Sequence, residues 1–310
     1  MVCSRQDYLA PLPIPTGKKP VDVVNMVWRN NDVFLDIGNF NLGGGVMVIW
    51  FMSLMFLVMG YYSWNDSLFY MFGIMVIVVI GIPVVVFISN LLRPTPLPIR
   101  FNRQRREVCV PRENGEYWIV PWETVTAAAT QHTSLSQAGP NTMGLLFIGF
   151  ENPDVKASKK NKHFMWGFNC GGNESAKSLW ECIRSYMEVG PHVLPQVNSF
   201  DGGQNNLQGR GPVWGAFYEH ATRLFKHVRK GELGQALLLV LGIFLFGTPL
   251  IAMLYSWKLS PPPDLDDPEI IEWSKSLPPD QWAKRSPELE LAIAQREAEL
   301  GINTACEVSE

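Results

Sequence analysis

Charge is scarce in this sequence. Only 18% of its residues are Asp, Glu, Lys or Arg, against about a quarter in an ordinary soluble domain. The deficit is local. No charged residue occurs from Ile37 to Asn65, from Ser67 to Leu92 or from Leu233 to Trp257. A bilayer core is crossed by about 20 apolar residues in helical form. Each uncharged stretch holds one such segment, at 46–62, 68–92 and 235–257. VMVIWFMSLMFLVMG and MFGIMVIVVIGIPVVVFI are apolar all round, which excludes a surface helix with one buried stripe. Pro83 and Pro249 are tolerated in spanning helices. Trp50, Tyr61, Tyr62, Trp64, Tyr70, Tyr255 and Trp257 fall mostly near the segment ends, where amphipathic rings prefer the headgroup zone.

Other absences narrow the chemistry. The five cysteines (Cys3, Cys109, Cys170, Cys182, Cys306) are odd in number and form no CxxC pair. That argues against a disulfide framework or a zinc site, and for buried thiols in a reducing compartment. No GxSxG, GxxxxGK[ST] or HExxH occurs, and no GxGxxG follows a strand, so the common hydrolase, nucleotide and metalloprotease signatures are missing. Gly43-Gly44-Gly45 leads into an apolar helix rather than a phosphate-binding turn. The first 36 residues hold Arg5, Lys18, Lys19 and Arg29 against Asp7, Asp22, Asp32 and Asp36. They show no apolar core with a cleavage site, so no secretory signal is expected.

The charges present are unevenly placed. Residues 1–45 have no net charge, 93–233 carry 17 basic and 12 acidic groups, and 258–310 carry 5 and 12. Basic residues beside membrane helices stay on the cytoplasmic side. Arg93 to Arg106 follow the second segment, and Arg223, Lys226, Arg229 and Lys230 lead into the third. The reading is three transmembrane helices with a cytoplasmic N-terminus, an external turn at YYSWNDS and a periplasmic acidic tail. Arg100, Arg103, Arg105 and Arg106 then have two readings: topology markers, or a contact patch for anionic lipid or a partner.

The middle segment changes period. PIRFNR and REVCV alternate, and Asn114-Gly115 is a hairpin signal because both residues accept positive φ. EYWIVPWETVTAAAT, NTMGLLFIGF and HFMWGFN continue as strands. NESAKSLWECIRSYMEVG is helical, with Leu179, Ile183, Tyr186 and Met187 on one face, Asn173 as the expected cap and Gly190-Pro191 as the stop. Five or six antiparallel strands closed by one C-terminal helix predict a pleckstrin-homology-like barrel or sandwich. The fold class is therefore membrane α plus α+β. The expected divisions are a cytoplasmic segment 1–45, a membrane hairpin 46–92, the PH-like domain 93–198, a linker and amphipathic helix 199–233, a third span 234–257 and an acidic tail 258–310.

These motifs carry a resemblance. F-x-R-x-x-R-x-V (Phe101 to Val108), Pro121-Trp122-Glu123 and W-x-x-I-R-x-Y-M (Trp180 to Met187), in this order behind a membrane hairpin, resemble an uncharacterised family of bacterial inner-membrane proteins over roughly residues 20–260. The resemblance implies an inner-membrane location. Family members are often found near type VI secretion effectors, which implies an immunity or effector-associated role. No catalytic residue carries over from it.

The remaining candidates have plain structural readings. His220 and His227, beside Glu219, lack a third metal ligand, so no metal or cofactor is expected. The helix VWGAFYEHATRLFKHVRK reads as amphipathic and membrane-lying, with Trp214, Phe217, Tyr218, Leu224 and Phe225 on its apolar side. Glu116 and Glu123 are expected to pair with Arg103 or Arg105 across a hairpin. SFDGGQNNLQGRGP is a linker. In the tail, SPPPDLDDPE is an extended spacer. SPELELAIAQREAEL is a helix capped by Ser286, with Pro287 first. Asp264, Asp266, Asp267, Glu269, Leu289 and Ile293 are its candidate contacts, with a basic protein partner or, through the apolar residues, with the protein's own surface. The expected function is a non-enzymatic membrane-anchored binding protein. The specific expectation is an immunity protein that occludes a secreted toxin, and the alternative is a lipid sensor or scaffold. The expected partners are the bilayer and a protein, not nucleic acid.

Overall fold

The computed structural model describes residues 3–23, 26–40, 42–62, 69–136, 139–154, 156–194, 212–259 and 261–301. Most of the YYSWNDS turn, including Asp66, and the linker at 199–211 lie outside these residues. Three short strands open the chain: β1 (Cys3–Ala10), β2 (Val27–Asn30) and β3 (Phe34–Ile37). Helix α1 (Gly43–Tyr62) comes next. Beyond it, α2 (Phe69–Val76) runs through a π-helical turn at Ile77–Gly81 into α3 (Ile82–Leu92). Then come β4 (Ile99–Asn102), β5 (Glu107–Pro111), β6 (Tyr117–Pro121), β7 (Thr126–Ser136), β8 (Gly139–Glu151) and β9 (His163–Asn169). The helices α4 (Asn173–Glu188), α5 (Pro212–Arg229), α6 (Leu233–Leu245), α7 (Thr248–Leu259), α8 (Pro268–Trp273) and α9 (Pro287–Leu300) complete the described chain.

The chain divides into two compact units. One gathers residues 1–39, 97–197 and 264–310, and the other holds 40–96 and 198–263. The first unit is mixed α+β, with two antiparallel sheets ordered β1-β7-β8-β9 and β2-β3-β4-β5-β6. The strands expected from alternation are present. Gly115, at φ +83, turns the β5–β6 hairpin, and Arg112 N donates to Glu116 O at 2.8 Å. Three strands upstream of α1 were not expected. β3 pairs with β4 from Phe34↔Asn102 to Ile37↔Ile99. Helices α1 to α3 are therefore inserted in the connection of one β pair.

Alternation sends Ile99, Phe101, Val108, Val110, Trp118 and Val120 to one side of the five-stranded sheet. There they meet Leu146, Ile148, Phe150 and Phe168 of the other sheet and the apolar face of α4. Each fully buried side chain of this size stabilises by roughly 1.5–3 kcal/mol relative to exposure. The expected cap of α4 is corrected. Gly172 is the capping residue, and Asn173 Nδ2 instead donates to Asp7 Oδ2 at 2.9 Å.

The acidic tail is also corrected. It is not a separate segment but packs inside the first unit. Leu265, Ile270 and Trp273 cover Cys109 on the outer face of the five-stranded sheet, with Leu97, Tyr117 and Ile119 beside them. Ser286 Oγ caps α9 by accepting from Leu289 N at 3.2 Å, with Pro287 in the first turn as expected. Leu289 and Ile293 are buried.

In the second unit, two helical stretches of 20 residues, Gly43–Tyr62 and Gly73–Leu92, are long and apolar enough to cross a membrane. The third expected span falls on the pair α6 and α7, bent by 51° at a break, which makes a third candidate span if the bent pair counts as one. Gly247 sits in the break at φ +64. A Cβ there would lie 2.9 Å from the Trp50 ring. Trp50 Nε1 donates to Phe244 O at 2.8 Å, satisfying a carbonyl beside the break. Near the end of α7, Tyr255 Oη donates to Phe40 O at 2.8 Å and accepts from Leu42 N at 3.2 Å.

Candidate functional site

Arg100 of β4 and Arg103, Arg105 and Arg106 of the turn after it all face inward or toward the tail. Arg100 lies opposite Asp36 in the β3–β4 register. Its Nε and Nη2 donate to Asp36 Oδ1 and Oδ2 at 2.7 and 2.8 Å, a bidentate pair with Asp36 fully enclosed. Nη2 also reaches Asp264 Oδ1 at 2.7 Å, and Nη1 reaches Ser274 Oγ at 2.9 Å. Arg29 Nη1 meets the same Asp264 oxygen at 2.8 Å. The Arg100 guanidinium lies 3.8 Å from the Phe34 ring centre. Burial works against its charge, but Asp36 and Asp264 outweigh burial and raise it above its ordinary value. Burial likewise opposes the Asp264 charge, yet hydrogen bonding from Arg100 holds that carboxyl below its usual range.

A second cluster forms around Glu188 at the end of α4. Its carboxylate accepts from Arg106 Nη1 and Nη2 (3.1 and 2.9 Å), from Trp122 Nε1 (2.8 Å) and from Arg285 Nε (2.6 Å). Arg106 Nη2 also meets Glu123 Oε1 at 3.1 Å, and that oxygen accepts from Ser286 N at 3.1 Å. Trp122 stacks on Trp180, with centroids 5.4 Å apart. The F-x-R-x-x-R-x-V, PWE and W-x-x-I-R-x-Y-M stretches thus converge on one buried knot, which Arg285 of the tail closes. Glu123 pairs with Arg106, not with Arg103 or Arg105 as expected.

Arg103 and Arg105 also face the tail. Arg105 Nε donates to Trp273 O at 2.9 Å. Arg103 donates to Val189 O at 2.9 Å and lies over the Trp282 ring at 5.4 Å. Gln104 Oε1 accepts from Leu277 N at 2.6 Å, and Trp273 Nε1 donates to Glu107 Oε2 at 2.7 Å. The candidate lipid patch of Arg100, Arg103, Arg105 and Arg106 is therefore a clamp that straps the tail to the sheet. Strand alternation does put Arg100 on the outer face of the sheet, but the tail covers that face. Of the tail acids, Asp264 belongs to the clamp. Asp267 caps α8 by accepting from Glu269 N at 2.8 Å, and Asp266 and Glu269 are not drawn into the clamp. Arg29, Asp36, Glu188, Trp273 and Arg285 were not singled out from the sequence. Arg29 and Asp36 pair across β2 and β3, and the other partners lie far away in the chain, so no local pattern marks their role.

The remaining features carry little chemistry. A groove of about 410 Å³ lies beside β1 and the loop after it, with Asp7, Tyr8, Leu12, Thr16, Lys177 and Arg296 on its wall. Its cations are committed: Lys177 to Asp7 at 2.9 Å, and Arg296 to Pro15 O at 3.2 Å and Glu299 at 2.8 Å. His227 Nδ1 bonds Glu232 Oε2 at 2.7 Å. Among the described residues no group of three or more His, Cys, Asp or Glu side chains is placed to hold a metal ion.

Two antiparallel sheets and two helices apolar enough to cross a bilayer define a mixed α+β protein with candidate membrane helices. The chain belongs to a family of unknown function, DUF6708, whose match covers residues 74–268. That match runs from α2 into the start of α8 and omits β1 to β3 and most of the strap. No curated protein and no solved structure matches the chain.

Proposed function

We propose that this chain is a membrane-anchored, non-enzymatic binding protein that presents a strapped β unit at the cytoplasmic face of a bacterial inner membrane. The observation that carries the reading is the insertion of α1 to α3 in the β3–β4 connection. Both ends of the candidate membrane hairpin are thereby tied to one sheet. The order of β3 to β6, then β7 to β9, then α4 supports a pleckstrin-homology-like core. The resemblance to inner-membrane proteins found near type VI secretion effectors supports a specific role, occlusion of a secreted toxin. Coexpression with the toxin encoded beside it should restore growth and yield a copurifying complex. Absence of both rescue and copurification would end this reading.

The reading includes a topology. The chain leaves the sheet unit after residue 39, rejoins it at 97, leaves after 197 and rejoins it at 264. Each excursion therefore crosses the membrane an even number of times. The first crosses twice, through Gly43–Tyr62 and Gly73–Leu92. In the second, α5 is too polar to be one of a pair of spans. It carries Glu219, His220, Arg223, Lys226, His227 and Arg229, and a charged side chain at the bilayer centre costs about 2.5–3.5 kcal/mol even on the mildest scale. The broken α6–α7 pair then dips into one leaflet without crossing. Single cysteines at Asp66→Cys, Gly231→Cys and Gly301→Cys test this by impermeant labelling of intact cells. Only position 66 should label from outside. Labelling of 301 overturns the common side of domain and tail, and labelling of 231 overturns the dip.

A further inference from the structure

The strand arginines are occupied, yet the chain carries a second cationic cluster that is not. Lys226, Arg229 and Lys230 lie at the C-terminal end of α5 and just beyond it, exposed and without an ion-pair partner among the described residues. Arg223 stands one turn before Lys226. At about 100° per residue, Arg223, Lys226 and Lys230 share one side of the helix. Phe225 and Val228, 68% and 48% exposed, lie on the opposite side of the helix, with Arg229 between Phe225 and the other cations. A favourable interaction with the helix dipole accounts for cations at this end. It does not account for a large apolar ring left in the open on the other face.

The segment after α5 decides the partner. Within three residues the chain enters α6, whose Leu233, Leu237, Leu238, Leu241 and Phe244 are exposed. At the far end of the α6–α7 pair, Trp257 is exposed and Lys258 lies 5.6 Å from its ring centre, a pairing suited to the headgroup zone. Apolar side chains that end in a belt of cations and interleaved aromatics match a lipid leaflet in section. Acyl chains meet the leucines and Phe225, and phosphates meet the cations.

We infer that Lys226, Arg229 and Lys230, at the end of a helix whose other face carries Phe225 and Val228, form an interfacial site for anionic phospholipid headgroups. It rests on the membrane location proposed above and moves the expected lipid contact from strand β4 and the turn after it to the end of α5. Neutral headgroups offer these cations no net charge, so the site selects for anionic lipid. Each cation near an anionic surface adds roughly 1 kcal/mol, so removing three should weaken binding at least tenfold.

The test uses the full chain in mild detergent, titrated with phosphatidylglycerol or phosphatidylcholine, with bound lipid counted by native mass spectrometry. The wild type should bind phosphatidylglycerol at least tenfold more tightly. Lys226→Gln/Arg229→Gln/Lys230→Gln should lose that preference, while Lys226→Arg/Lys230→Arg keeps it. A wild type without preference, or a triple variant that retains it, overturns the site. Should the triple variant aggregate, salt decides on the wild type. Raising it from about 0.05 to about 0.5 M should collapse the preference, and an unchanged preference overturns the proposal. A chain that stays in solution without detergent would instead remove the membrane reading itself.

Discussion

Asp22 is a carboxylate whose ionisation opposes folding. Its carboxylate accepts from Met26 N and Val27 N at 2.8 and 3.2 Å. Burial pushes it up to about 6 from 3.8, against the pull of those two donors. Below the free-chain value the group is protonated whether the chain is folded or not, and above the folded value it is charged in both. Between the two, the folded protein takes up a proton that the unfolded chain has lost. Stability should therefore rise as pH falls from about 7 to about 4, by on the order of 2 kcal/mol. Asp264 and Glu123 act in the other direction. Each is held below its ordinary range, against burial, by hydrogen bonds and by Arg100 or Arg106. Their contribution is present above the free-chain carboxylate range and is lost only as pH falls through the lowered folded values. Asp22→Asn keeps an oxygen acceptor for both amides and removes the charge. Its melting temperature in detergent should exceed that of the wild type at pH 7.5, with the gap closing near pH 4.5. A constant gap across that range would remove Asp22 as the cause.

The break between α6 and α7 is built from parts that support one another. Gly247 adopts a left-handed conformation that costs other residues roughly 1–2 kcal/mol. It lies against the Trp50 ring, whose Nε1 satisfies Phe244 O. Trp50→Phe removes that donor and leaves Phe244 O with only the Gly247 N–H at 3.2 Å, a cost of about 0.5–1.5 kcal/mol. Gly247→Ala strains the backbone and pushes on the same ring. Combined, the two should cost less than their sum, because each spoils the same contact. Thermal unfolding of the single and double variants measures this, and strict additivity would mean the break does not depend on Trp50. The sequence revealed such elements unevenly. Local signals located β4 to β9, α4 and the capped start of α9, because alternation, Asn114-Gly115 and Ser286-Pro287 act within a few residues. They did not locate β2 and β3, because β3 pairs with β4 across the inserted helices α1 to α3 rather than through a local turn. β1 was hidden for another reason: CSRQDYLA has few apolar residues, and its partner β7 lies more than a hundred residues away. The bend was half visible. Gly247 and Pro249 could be read, but uniform hydropathy over 235–257 outweighed them and suggested a single span.

Long-range pairing sets where the tail packs, and no single segment encodes it. Arg100 and Asp264 are 164 positions apart, and Glu188 and Arg285 are 97 apart. Charge counting treated the basic domain and the acidic tail as belonging to opposite sides. In the fold, opposite charge is what holds them together. The strap hides a chemical reporter. The Cys109 thiol is completely enclosed beneath Leu265, Ile270 and Trp273, and burial pushes it up to about 12. A thiol reacts as its thiolate and only when reached, so in the intact chain Cys109 should resist maleimide at neutral pH. Cys170 and Cys182 are also buried, but they lie in the main core, away from the strap. With Cys3 and Cys306 replaced by serine, any new labelling that maps to Cys109 by peptide mass reports release of the strap. Trp273→Ala opens its apolar cover. Arg100→Met removes one of the two cations that hold Asp264 and leaves Arg29 shared between Asp264 at 2.8 Å and enclosed Asp36 at 3.5 Å, so the strap should loosen there too. Both variants should speed Cys109 labelling at least tenfold, with Cys182 unchanged. Equal rates in the wild type and both variants would show that the tail does not depend on the clamp, and the common side of domain and tail would lose its physical basis.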